Sequence, residues 1–93
     1  MKAYRWSEKK NEQLKRSRGI SFEEVVLAFE SGGLLDVLTH PNPRRYPNQK
    51  VFVVAVMEYV YLVPHLEEGD HIYLKTVIPS RKAMRDYGRR GKK

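Results

Sequence analysis

Lysines, arginines and tyrosines that could act on a phosphodiester gather in separate parts of this 93-residue chain. Lys10, Lys15, Arg16 and Arg18 lie near the start; Arg44, Arg45 and Tyr46 sit in a proline-rich middle; Arg81 and Lys82 follow the last apolar run. Such groups can cleave RNA without a metal, because the 2′-hydroxyl is an internal nucleophile that needs only a base, charge stabilisation on the phosphate and an acid for the leaving 5′-oxygen. An arginine fork holds non-bridging oxygens, a lysine moves a proton, and a tyrosine such as Tyr46 or Tyr61 donates one or stacks on a base. Each group also has a plainer reading as a solvated surface charge.

Other chemistries are excluded or thin. There is no cysteine, so thiolate metal sites, disulfides and cysteine nucleophiles are ruled out. The six glycines build neither a phosphate loop nor a dinucleotide fingerprint, and no zinc-peptidase motif is present. His65 and His71 flank a turn and invite a metal reading across a hairpin, but no third ligand is evident, and no metal or other cofactor is expected. No apolar run approaches the ~20 residues of a membrane span, and the start lacks the apolar centre of a secretory signal, so a cytosolic protein is expected, with no membrane partner.

The net charge of +7 is unevenly spread. Residues 1–19 carry a balance of +5 and residues 81–93 one of +6, around a middle of −4. Basic ends flanking an acidic centre suit a surface that tracks phosphates, and RNA is the leading partner.

The elements that must position these groups are legible. Residues 51–78 read VFVVAV, YVYLVPHL and HIYLKTVI, rich in Val, Ile, Tyr and Phe, with very short connections at Met57-Glu58 and Glu67-Glu68-Gly69-Asp70. Links that short join antiparallel neighbours only, so the runs predict a meander with Gly69 taking positive φ in its turn. The last run delivers Arg81 and Lys82 to one sheet edge, where function is expected. Residues 3–6 alternate enough for a first strand, and residues 8–17 predict a polar surface helix capped by Ser7 and held by Trp6 and Leu14. A Glu12–Arg16 pair is the plainer role of its charges.

Ser21 and Glu24 form a capping box, and Ile20 with Val25 a hydrophobic staple, so a helix starts at Phe22. Phe22, Val25, Val26 and Phe29 fall on one face toward the sheet, and Gly32-Gly33 stops the helix. Residues 34–38 predict a further strand despite poor alternation, and residues 39–50 a loop. Ser80 caps a short helix over residues 81–87 whose inward face is Ala83, Met84 and Tyr87, with Gly88 ending it. The order is β-α-α-β-β-β-β-α, an α+β fold in one domain over residues 1–88 with a basic tail at 89–93.

Trp6, Asn11, the run Gly19-Ile20-Ser21-Phe22-Glu23-Glu24, Ile78 and Ser80-Arg81-Lys82-Ala83 resemble the BrnT family of toxins. The resemblance implies a RelE-like fold and a small cytosolic ribonuclease of a type II toxin–antitoxin module. It further implies a cognate antitoxin, often a ribbon-helix-helix DNA-binding protein, that neutralises the toxin and carries it to operator DNA. On this resemblance Arg16 and Arg18 hold phosphate, Lys15 or Lys10 serves as base or charge stabiliser, and Arg81 and Lys82 hold the scissile group. Lys10, Arg44, Arg45, Tyr46 and Tyr61 contact the RNA strand. Ser7 stands where the family has an acid, and Ser17-Arg18 where it has lysine-histidine, which leaves Arg18 a charge role rather than proton transfer by imidazole. Two alternatives stay open: a module that occupies RNA or the ribosome without cutting, and an inactive toxin-like protein that binds its antitoxin and tunes repression.

Overall fold

A computed structural model describes the backbone of residues 3–91 and the side chains of residues 3–88. The fold is α+β: β1 (Ala3–Arg5), α1 (Glu8–Arg18), α2 (Phe22–Glu30), β2 (Leu34–Thr39), β3 (Gln49–Val56), β4 (Tyr59–Glu68), β5 (His71–Leu74), β6 (Ile78–Pro79) and α3 (Arg81–Gly91). The sheet runs β1-β5-β4-β3-β2, and β6 adds to β4 beside β5. The pairings β2–β3, β3–β4, β4–β5 and β4–β6 are antiparallel, as expected.

Several expectations need correction. β1 pairs parallel with β5, Tyr4 opposite Ile72, so the sheet is not purely antiparallel. A parallel partner is possible because α1, α2 and the whole meander intervene between the two strands. The run HIYLKTVI is two strands rather than one. It breaks over residues 75–77, where Lys75 N–H still donates to Pro64 O at 2.9 Å, and resumes as β6. β3 begins at Gln49, inside the predicted loop. α3 continues past Gly88 to Gly91, since a glycine weakens a helix without obliging it to stop.

Both sheet faces carry core, as the period-two alternation dictates. On the first face Phe52, Val54, Val56, Val63, Ile72 and Leu74 pack beneath Leu14, Ile20, Phe22 and Val25. On the second Val53 and Val60 pack against Ala83, with Leu35, Leu62, Met84 and Tyr87 around them. The poor alternation of β2 has a cause: a bulge between Leu34 and Asp36 shifts the register and leaves Leu35 and Asp36 toward the second face. There the Tyr87 hydroxyl donates to Asp36 Oδ2 at 2.8 Å. The Met57-Glu58 connection takes positive φ at both residues, 50° and 69°, which matches the hairpin twist without a glycine. Gly69 takes φ 56° as expected.

His65 and His71 do not approach one another. His65 pairs with Leu74 and is fully buried on the first face, whereas His71 pairs with Glu68 on the second. The His65 ring stacks on Phe52 at 3.7 Å, its Nδ1 is 3.1 Å from Val63 O, and Nε2 is buried without a partner. Burial therefore pulls its pKa below the ordinary histidine value of 6.5. Protonation then favours the unfolded chain: stability is full above about pH 6.5 and falls as pH drops toward the folded value. The expected result is a urea midpoint lower at pH 5 than at pH 7.5, with the pH dependence reduced in His65→Leu; equal slopes in the two proteins would remove His65 as the cause.

Candidate nucleic-acid interface

α1 forms because Ser7 accepts from Lys10 N–H at 3.2 Å and Gly19, at φ 67°, closes its end in the left-handed region. Asn11 and Leu14 are its buried residues, and Arg18 follows Leu14 by four, on the same stripe. The Arg18 guanidinium consequently reaches the sheet and donates to Val77 O at 2.6 Å. Arg16 lies ~200° around the helix from Leu14, exposed to solvent. The predicted arginine pair is thus divided, one member on the sheet edge and one facing water. Lys15 pairs with Glu12 at 3.4 Å, an i,i+3 contact in place of the expected Glu12–Arg16 pair. Lys10, in the first turn, is half-buried.

The second contributor is the start of α3. Ile78 and Pro79 pair with Leu62 and Tyr61, Ser80 N–H donates to Val60 O at 3.3 Å, and Ser80 Oγ accepts from Ala83 N–H at 3.1 Å. That cap leaves Arg81 and Lys82 exposed on the first turn. Arg81 is four residues after Val77, so its Cα is within about 14 Å of the residue that Arg18 holds. The last turn of α1, on the first face, and the first turn of α3, on the second, thus flank the same β6 edge from opposite sides of the sheet. Tyr61 is next to this edge in the sheet but points to the first face: its backbone pairs with Pro79, its ring is 5.4 Å from that of Tyr59, and burial with nearby Glu24 pushes its pKa above 10.0. It therefore keeps its proton at neutral pH.

Arg44, Arg45 and Tyr46 lie elsewhere. The Tyr46 ring is 4.5 Å from His40 and 5.7 Å from the Arg45 guanidinium, in the loop between β2 and β3. Gln49, which ends this loop, pairs with Leu66, six residues along β4 from Val60. At ~3.3 Å per residue the loop is about 20 Å from the Ser80 cap. These residues can touch one extended strand together with Arg81 but not one phosphate.

Asn11, prominent in the resemblance, proves structural. It is fully buried, its Nδ2 donates to Glu23 Oε1 at 2.8 Å and its Oδ1 accepts from Phe22 N–H at 2.8 Å. The bond from Asn11 holds the Glu23 carboxyl below its usual value of 4.5. Tyr73 and Lys75 were missed among the sequence candidates although the alternation of His71, Tyr73 and Lys75 against Ile72 and Leu74 places them on the second face, the less covered one. No group of histidines and carboxylates able to hold a metal occurs among the described residues, and none of the described helices is long and apolar enough to cross a membrane. Comparison with protein-family models, with curated proteins and with solved structures finds no match to this chain.

Proposed function

We propose that the chain is a metal-independent endoribonuclease acting in the cytosol as the toxin of a toxin–antitoxin pair, its site at the β6 edge. The observation that carries this reading is the Arg18–Val77 hydrogen bond, which brings the basic end of α1 to the edge from which Arg81 and Lys82 project. Cations there neutralise a bound phosphate and the extra charge of its transition state. In this mechanism Arg81 and Lys82 hold the non-bridging oxygens, Arg18 and Lys15 add positive potential, and Tyr61 donates toward the leaving 5′-oxygen. The 2′-hydroxyl gives its proton to solvent water as its oxygen attacks phosphorus, the P–O5′ bond breaks as the 5′-oxygen takes the Tyr61 proton, and a 2′,3′-cyclic phosphate remains. A RelE-like relationship and a ribbon-helix-helix antitoxin that covers the basic edge belong to the same proposal.

One observation favours a second reading. Arg18 already spends a guanidinium N–H on a backbone carbonyl, which suits a strut as well as a phosphate clamp. On that reading the protein binds RNA or antitoxin without cutting. Induced expression of the wild type beside Arg81→Ala separates the two. The catalytic reading expects growth arrest with RNA cleavage, and a loss of about a hundredfold in cleavage in Arg81→Ala, in keeping with ~2.7 kcal/mol for one transition-state donor. Arrest and cleavage unchanged in a folded Arg81→Ala would remove Arg81 from the mechanism; intact RNA in the wild type would favour the non-cleaving reading.

A further inference from the structure

α3 covers only part of the second sheet face. Its apolar side sits on Val53, Val60, Leu35 and Leu62, toward the Met57-Glu58 end. The remainder is a half-exposed floor whose composition follows from the registers. Arg5 lies beside Tyr73, Tyr73 beside Leu66, and Leu66 beside Gln49, so these four make one row across four strands. Lys75 stands two residues beyond Tyr73 in the next row with Pro64 and Val51, and its Nζ donates to Gln49 Oε1 at 3.4 Å.

The borders are basic on several sides. Arg5 is exposed at the β1 edge and Lys75 at the break after β5. Met84 and Gly88 line the groove on the hairpin side of α3, so Lys82 and Asp86, on the opposite flank, border this floor. At the far end His40 N–H donates to Gln49 O at 3.2 Å, which brings the His40–Tyr46–Arg45 cluster against the same row. The acidic groups beyond the row are Glu68 and Asp70, both within ion-pair distance of His71.

We infer that this open half of the sheet is a binding platform for single-stranded RNA, with a base stacked on Tyr73 and backbone phosphates on Arg5 and Lys75. The inference rests on the ribonuclease reading above and names the path of its substrate. A partly apolar floor with a half-buried tyrosine offers a ring to the π-face of any base, while cations on either side track the backbone. A duplex keeps its bases stacked inside and offers Tyr73 none, so the platform discriminates in favour of single strands. Lys82 would pass the strand from this floor to the start of α3, and the Tyr46 cluster would hold its other end.

The test uses the full chain and a labelled RNA whose 2′-hydroxyls are methylated, so that it binds without being cut, alone and annealed to its complement. Fluorescence anisotropy is read over a range of salt concentrations. The expected result is tighter binding of the single strand, a loss of about tenfold in Tyr73→Ala, and retention in Tyr73→Phe. The pair Arg5→Gln and Lys75→Gln should lower the slope of log affinity against log salt by about 1.4, at ~0.7 per phosphate contact for a single strand. Since Arg5 and Lys75 are exposed, that double variant decides the matter if Tyr73→Ala fails to fold. Unchanged affinity and slope in variants of a protein that still cuts RNA would overturn the platform and leave the ribonuclease reading standing. Absence of both binding and cutting in the wild type would overturn the reading and the platform with it.

Discussion

Asn11→Leu is expected to lower the unfolding free energy by about 3 kcal/mol. Leucine has the same branching as asparagine and is the larger side chain, so the effect is not a cavity. It removes a hydrogen bond to a charged acceptor, worth ~1.5–3 kcal/mol, and leaves the buried Phe22 N–H unpaired at a further ~1–3, with a partial offset from the added apolar surface. Phe22 N–H is one of the donors that the first turn of a helix cannot satisfy internally. Glu24 N–H is met by Ser21 Oγ and Ser21 N–H by Glu24 Oε1, which leaves Phe22 to Asn11. Asn11 is therefore what docks α1 onto the start of α2. A second readout is the titration of Glu23. Its lowered pKa contributes stability that is present above 4.5 and lost as pH falls through the folded value, and in Asn11→Leu that value should rise toward 4.5. Urea unfolding checks the stability and NMR the titration; a loss below about 1 kcal/mol would show that water satisfies Phe22 instead.

Gly33→Ala is expected to cost about 3 kcal/mol, for a reason unrelated to φ. A Cβ there would lie 2.7 Å from Ala55 O and 2.9 Å from Ala28 O, both backbone atoms that cannot swing aside. The same residue donates to Ala28 O at 2.6 Å and accepts from Ala55 N–H at 2.8 Å, so it joins the end of α2 to the β3 ladder. Relief of the clash must break one of those bonds or move a strand, at the upper end of the ~1–3 kcal/mol typical of overpacking. Gly32 is the control. It has φ 83° and open space where an added Cβ would stand, so Gly32→Ala carries only the left-handed penalty of ~1–2 kcal/mol. Thermal or urea unfolding of both variants should rank Gly33→Ala as the more damaging; the reverse order would mean that the α2–β3 junction yields easily.

These residues show what was legible in the sequence. The capping box at Ser21 and Glu24, the inward faces of α2 and α3 and the hairpins of the meander were readable because caps, periodicity and short links are local signals. The parallel pairing of β1 was not, since three residues carry no mark of their partner. The bulge at Leu34 to Asp36 hid behind the poor alternation that it causes. For the site, the exposure of Arg81 and Lys82 follows from the Ser80 cap and was readable. The separation of Arg16 from Arg18 was available from helix geometry but overridden by their closeness in sequence. The placement of Arg44 to Tyr46 about 20 Å away depends on strand register, which no local pattern fixes. Asn11 stood in the motif with no role attached, because a polar site residue and a buried strut have the same letter.

The most direct test of the central claim is incubation of the purified protein with end-labelled single-stranded RNA in the presence of EDTA, followed by analysis of product ends. The mechanism at the β6 edge predicts cleavage that persists under chelation and yields 2′,3′-cyclic phosphate termini. RNA that remains intact through prolonged incubation, or cleavage that appears only when a divalent metal is restored, would contradict it.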